Sequence, residues 1–385
     1  MKKMLKYCII SLILVILFNI STKVIKAEDN ILKYAKSGIL IEVETGKVLY
    51  EKNAHIRYEP ASMTKMMTMK LVLDAISSKR ISMEDELTTS EYASKMGGSQ
   101  IFLSPGEKMK VEDLFKSMVI ASANDAAVCL AEGISGSDKF FVEQMNNEVK
   151  KLGLNNTNFS NVTGLPTNNH YSSSYDMAMI ARNLILEYED KVIPYTSCYE
   201  DYVRKNSDNP FWLVNTNKLI KHIDGIDGLK TGWTEAAGYC LTCTKKENGM
   251  RLISVVMNVD SVIHRTEDTL ALLNYGFANY NLTPIMKKGE VVSIENNLLL
   301  TPNKYNIVTD SDIVVLKGKN EKLKDIRYEI EINKEKIKNE YYKNIGTMKV
   351  YEGNELIQEV KLNLEEIPKK ANFFQILIII LKYIF

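Results

Sequence analysis

The sequence predicts an α+β fold built on an antiparallel sheet, followed by a small all-β domain. Three observations carry this expectation. Strand-like segments stand at both ends of residues 35–282, with helix-like segments between them. From about Thr283 the helical period fades and short β-rich runs recur. Both chain ends are strongly apolar while the middle is not, so the ends read as separate devices rather than as core.

At the start, Lys2, Lys3 and Lys6 precede an almost unbroken apolar run from Cys8 to Ile20, and a more polar stretch ends at Ala27. Basic start, apolar middle and small residue at the cut are the order of a secretory signal peptide, expected at residues 1–27. The run is shorter than the roughly 20 residues that span a bilayer as a helix. Next, Gly38–Val43 and Lys47–Tyr50 read as a hairpin turning at Glu44-Thr45-Gly46. Helices are expected over Met63–Ile76, over most of Lys110–Glu132, and over Tyr175–Glu187 with Ser173 or Ser174 as cap. Tyr239–Thr244 and Leu252–Val259 read as paired strands with a turn at Asn248-Gly249, and Thr266–Tyr280 closes the unit as a helix. The β-rich runs that follow are Glu290–Ile294, Tyr305–Val308, Ile313–Lys317, Ile326–Ile332, Thr347–Tyr351 and Ile357–Leu362. This gives four regions: 1–27, 28–282, 283–366 and 367–385. The last carries Phe373–Phe385, too short to span a bilayer but apolar around nearly its whole circumference. Asn372, Gln375 and Lys382 fall on one narrow stripe, and Lys369 and Lys370 precede it. That pattern predicts an anchor lying on a membrane surface.

With 45% hydrophobic and 25% charged residues, wholesale disorder is excluded. Lys+Arg 49 against Asp+Glu 48 excludes a strongly basic nucleic-acid binder, and no nucleic-acid partner is expected. Loss of residues 1–27 would remove five lysines and no acid, taking the net charge from +1 to −4. Cys129, Cys198, Cys240 and Cys243 would remain. The C-x-x-C pair lies in a predicted strand, where residues three apart face opposite ways, and no second pair or spaced histidine accompanies it. Buried packing is expected there, and no metal.

Three short stretches carry chemistry. Ser62-Met63-Thr64-Lys65 places a hydroxyl and an amine one helical turn apart. A serine becomes nucleophilic when a base takes its proton, and a lysine serves once burial or a second cation makes it neutral. Ser122-Ala123-Asn124 interrupts an apolar helical run, where polar groups must be satisfied or functional. Lys230-Thr231-Gly232 precedes the strand pair. There a cation and a hydroxyl can bind a carboxylate, and a glycine lets another backbone approach. Each alone is weak. Together and in this order they match the signature of class A β-lactamases and penicillin-binding proteins.

The chain resembles the D-alanyl-D-alanine carboxypeptidases, low-molecular-mass penicillin-binding serine peptidases. The likeness extends to Thr45-Gly46-Lys47-Val48-Leu49-Tyr50, Asn124-Asp125-Ala126-Ala127, Gly164-Leu165-Pro166, His170-Tyr171-Ser172 and Asp227-Gly228-Leu229. It implies a β-lactamase/transpeptidase-like domain and a peptidoglycan stem peptide as substrate. It also implies β-lactam antibiotics as covalent inhibitors, no cofactor, and a site outside the cytoplasm on the membrane's outer face. By the resemblance, Ser62 is the nucleophile, Lys65 its base, and Ser122 the proton donor to the leaving amine. Asn124, Lys230, Thr231, Gly232 and the backbone N–H of Trp233 bind substrate. Ala123 and Trp233 depart from residues often found in the family, which bears on substrate preference. A β-lactamase lacks support, because no Glu-x-x-Leu-Asn stands between the second and third stretches. An endopeptidase or transpeptidase of the same family shares the catalytic residues, and a non-catalytic cell-wall binding protein remains the rival of another class. His170 is expected to make a structural hydrogen bond.

Overall fold

A computed structural model of the protein describes residues 31–297, 299–338 and 343–384. The expected signal peptide, residues 1–27, lies outside the described residues. Near the start come β1 (Ser37–Glu42) and β2 (Val48–Lys52), the expected hairpin. A 3-10 turn (Ala61–Thr64) runs straight into α1 (Lys65–Ser77). A small strand pair, β3 (Glu86–Thr88) and β4 (Lys108–Lys110), brackets the short α2 (Glu91–Ser94). Then follow α3 (Val111–Ile120), α4 (Asn124–Ser135), α5 (Asp138–Lys151) and α6 (Ser174–Thr196). A second hairpin, β5 (Glu200–Val203) and β6 (Phe211–Val214), and the single turn α7 (Leu219–His222) lead to β7 (Ile226–Thr234). β8 (Gly238–Glu247), β9 (Met250–Val259) and α8 (Val262–Asn279) complete this part.

The main sheet is antiparallel, in the order β2-β1-β9-β8-β7. Both of its faces are covered, so β1 is buried along its whole length instead of alternating. Ile39 and Ile41 join the core made by α1, α3, α4 and α6, while Leu40 joins a second core under α8. β9 divides the same way, with Ile253, Val255 and Met257 on one side and Leu252 and Val256 on the other. Each such aliphatic side chain stabilises the sheet by roughly 1.5–3 kcal/mol on burial. Gly276 lets α8 lie close, since a Cβ there would come within 2.9 Å of Leu40 Cδ2. Cys240 faces the helical core and Cys243 the α8 core, and all four described cysteines are free. Burial pushes the Cys240 thiol up to about 11 and the Cys243 thiol up to about 12. They are packing residues, as expected.

Differences from the sequence expectation have local causes. The run expected over Lys110–Glu132 is two helices, broken at Ala121–Ala123 where Ser122 takes φ +62°. The helix expected to stop at Glu187 runs on to Thr196 through a kink at Tyr188, and Ser173 is its cap, its side chain accepting from Asp176 N. The last helix starts at Val262, because Ser261 caps it. The strands of the short pairs β3–β4 and β5–β6 have three or four residues each, too few to show a period in the sequence.

β10 (Tyr280–Met286) runs across positions 282 and 283 and pairs with β14 (Ile313–Gly318). Leu316 packs into the core under α8, which docks the β-rich part on the rest. A five-stranded antiparallel sheet forms from β11 (Val291–Asn296), β13 (Lys304–Thr309), β17 (Glu355–Leu364), β16 (Gly346–Glu352) and β15 (Ile326–Ile332), in that spatial order. Short β12 (Leu300–Thr301) pairs with β18 (Lys369–Lys370), and a one-turn helix α9 occupies Lys334–Lys338. The chain then enters α10 (Phe373–Ile384). Asn372 and Gln375 cap it reciprocally, each backbone N–H donating to the other's side-chain oxygen at 2.8 and 3.0 Å. Phe373, Phe374, Leu377, Ile378 and Leu381 are exposed. No helix among the described residues is long and apolar enough to cross a membrane.

Candidate active site

Pro60 stops the preceding chain, and Ala61 takes φ +47°, a left-handed conformation that costs a non-glycine residue about 1–3 kcal/mol. The 3-10 turn that follows presents Ser62, and Lys65 opens α1 one turn later. Lys65 is fully buried. Its Nζ lies 3.0 Å from Ser62 Oγ and donates to Asn124 Oδ1 at 2.6 Å and to the Thr163 carbonyl at 2.8 Å. Burial holds its pKa well below the usual lysine value, the charge of Lys230 lowers it further, and Asp125 pulls the other way. A buried lysine that loses its proton easily is the base a serine needs.

The break between α3 and α4 supplies the second group of side chains. Asn124 is the first residue of α4, and its Nδ2 donates to the Gly97 carbonyl at 2.6 Å. Asp125 accepts from the backbone N–H groups of Ile101 and Leu103, which ties the 97–103 loop beside the site. Gly98, at φ +76°, leaves no room for a Cβ, which would sit 2.8 Å from Asn124 Nδ2. Ser122 Oγ is buried and has no hydrogen-bond partner among the described residues. A buried hydroxyl left unpaired in the free protein is what a group reserved for substrate looks like.

The edge strand β7 supplies the third. Lys230 is buried, and its Nζ donates to the Thr231 carbonyl at 3.2 Å. Burial, followed by the charge of Arg265 on α8, pulls Lys230 down to about 7. Thr231 Oγ1 donates to Thr216 Oγ1 at 2.7 Å. A Cβ on Gly232 would stand 2.8 Å from the Pro60 carbonyl oxygen and 3.3 Å from Ser62 N. Glycine is therefore what lets β7 lie against the nucleophile turn. Trp233 is exposed, with its ring 5.9 Å from that of Tyr239.

A fourth wall is the 159–165 loop. Asn161 Oδ1 accepts from Thr163 N, Thr163 Oγ1 and Gly164 N at 3.1, 3.1 and 2.7 Å, folding the loop so that the Thr163 carbonyl meets Lys65. Gly164 has φ +84°, and a Cβ there would overlap the Ala61 carbonyl. His170 anchors this loop. Its Nδ1 accepts from Ser160 N at 3.0 Å, so the proton sits on Nε2, 2.8 Å from Thr64 Oγ1. Burial pushes the imidazole down to about 4 and keeps it neutral. This is the structural hydrogen bond expected of His170.

Ser62, Lys65, Asn124 and Gly232 thus lie together, Lys230 is near enough for its charge to act on Lys65, and Thr231 stands between Lys230 and Gly232, with Ser122 at the helix break and Trp233 on the same strand. Sequence reading missed Thr163, Asn161, Thr216 and Arg265. None stands at a helical or strand spacing from the three motifs, so no local signal marks them.

Comparison with known proteins bears on the family of the chain. A family model described as D-alanyl-D-alanine carboxypeptidase matches residues 23–261. The D-alanyl-D-alanine carboxypeptidase DacF of Bacillus subtilis is 44% identical over 345 residues, covering 89% of this chain and 88% of that one. Penicillin binding protein 5 from Haemophilus influenzae superposes with TM-score 0.69 at 29% identity, over 88% of this chain and 98% of that chain. The ampicillin-bound penicillin-binding protein D2 from Listeria monocytogenes is 34% identical, with TM-score 0.57 over 63% of this chain and 97% of its own. A family model spanning more than half the chain and a relative aligned along nearly all of it leave one assignment: the chain belongs to the D-alanyl-D-alanine carboxypeptidases, serine peptidases of the cell wall.

Proposed function

We propose that Ser62 attacks the carbonyl between the two terminal D-alanines of a peptidoglycan stem pentapeptide. The observation that carries this is the contact of 3.0 Å between Ser62 Oγ and the buried Nζ of Lys65, whose pKa is depressed. Lys65, neutral, takes the serine proton. The backbone N–H groups of Ser62 and Trp233 stabilise the developing oxyanion. Ser122, its hydroxyl unpaired in the free enzyme, passes a proton to the departing D-alanine amine with Lys230 beside it. Lys230 and Thr231 hold the terminal carboxylate, with Arg265 adding positive potential behind them. Asn124 orients Lys65 and hydrogen-bonds the substrate backbone, and water then releases the tetrapeptide from Ser62. A β-lactam acylates the same serine, as ampicillin binding by the Listeria relative supports.

Catalysis belongs in this reading to residues 28–282 and the all-β part to 283–366. The apolar helix at 373–384, with Phe373, Phe374, Leu377, Ile378 and Leu381 exposed, rests on the outer face of the cytoplasmic membrane, with Lys369 and Lys370 toward its head groups. A fluorescent penicillin tests the assignment: the native protein takes the label and Ser62→Ala does not. Label on the variant at another serine would overturn it.

A further inference from the structure

Thr216 belongs to none of the sequence motifs, yet it stands between two of them. Its backbone N–H donates to the Ile120 carbonyl at 3.3 Å, two residues before Ser122. Its hydroxyl is 2.7 Å from that of Thr231. The residues on either side lock it in place. Asn215 Nδ2 donates to the carbonyls of Thr196 and Cys198 at 3.0 and 2.9 Å, and Asn217 Nδ2 donates to the Gly228 carbonyl at 3.1 Å. Asn215 and Asn217 are buried, and Thr216 between them is only partly so. The segment is thus a rigid bridge from the helix break to β7, with the Thr216 hydroxyl set against that of Thr231.

In the free site Thr231 spends its single proton on Thr216. A bound carboxylate accepts hydrogen bonds and offers none, so Thr231 must then turn its proton to the substrate. Its oxygen is left needing a donor, and the Thr216 hydroxyl is already within hydrogen-bond distance. We infer that Thr216 is a positioning residue for recognition of the terminal carboxylate. Through its hydroxyl it fixes the Thr231 rotamer, and it reverses from acceptor to donor when substrate binds. Two hydroxyls donating in the same sense polarise one another, which strengthens the terminal bond to the anion. This rests on the proposed role of Thr231 in binding that carboxylate.

The test compares a D-alanyl-D-alanine-terminated peptide with its C-terminal amide as substrates. Thr216→Val keeps the shape and removes the hydroxyl. Its kcat/KM on the free acid should fall about fivefold, the worth of one net hydrogen bond, mostly through KM, with no change on the amide. Thr216→Ser should restore the acid-to-amide ratio. Thr231→Val should lower the ratio by itself, and the double Val variant should fall no further. Equal losses on acid and amide would mean a structural role only and overturn the inference, as would additive losses in the double variant. If Thr231→Val lowers the ratio and Thr216→Val does not, the inference fails and the carboxylate reading survives. If Thr231→Val leaves the ratio unchanged, both fall.

Discussion

At the scale of single residues, two buried lysines lie close enough for the charge of one to lower the other's pKa, and in the proposed mechanism their proton equilibria set the pH range. There Lys65 must be neutral to accept the serine proton, so acylation should rise as pH climbs through its depressed pKa. Lys230 must be charged to hold a carboxylate, so substrate capture should fall as pH passes about 7. The kcat/KM profile should therefore be bell-shaped, with its alkaline limb near pH 7. Lys230→Arg should remove that limb from the accessible range, because a guanidinium keeps its proton. A limb unchanged in the variant would show that another group sets it. Glycines give a second test. Gly164→Ala drives a methyl into the Ala61 carbonyl and displaces the nucleophile turn. A misplacement near 1 Å costs about 100-fold, which penicillin-labelling kinetics would register. The Ser62–Lys65 pair was legible in the sequence because helical spacing alone brings i and i+3 together. Thr163, Thr216 and Arg265 were not, since only the tertiary fold carries them to the cleft.

Among elements, the loop and helix junctions do the positioning. His170 fastens the 159–165 loop to the turn bearing Ser62, and it stays neutral with its pKa held down at about 4 by burial. Between pH 6.5 and 4 the unfolded chain binds the proton and the folded one does not. Stability from this site is therefore complete above pH 6.5 and lost as pH falls toward 4, by about 3 kcal/mol in all. His170→Gln keeps an acceptor and a donor and should flatten the melting temperature across that window. An unchanged slope would move the titration elsewhere. The helix break at Ser122 illustrates what patterning hides. Ser122-Ala123-Asn124 interrupts the apolar run, but the apolar residues resume at helical spacing beyond it, and the φ of +62° at Ser122 shows that the chain turns there. β1, β8, β9 and the β-rich runs beyond 290 were legible because their apolar runs are continuous or alternate cleanly, whereas β7 and β10 were not read as strands. The paired segments at 200–214 have four residues in each strand, too few to show a period although Phe211–Val214 is apolar, and they pack beside α3.

For the whole molecule, the catalytic part, the β-rich part and the apolar tail helix stand in line along the chain. In the proposed reading the exposed apolar surface of α10 holds the enzyme at a membrane. Deleting residues 373–385 should abolish cosedimentation with anionic lipid vesicles and leave turnover of a soluble peptide unchanged. Retained vesicle binding would place the membrane contact elsewhere. The central claim is a Ser62 acyl-enzyme that hydrolyses a D-alanyl-D-alanine bond. Its most direct test is mass spectrometry of a stem pentapeptide incubated with the native protein and with Ser62→Ala. The native protein should give tetrapeptide and free D-alanine without cross-linked dimers, and the variant should return the pentapeptide intact. D-alanine release that survives in the variant, or dimers as the main product, would contradict it.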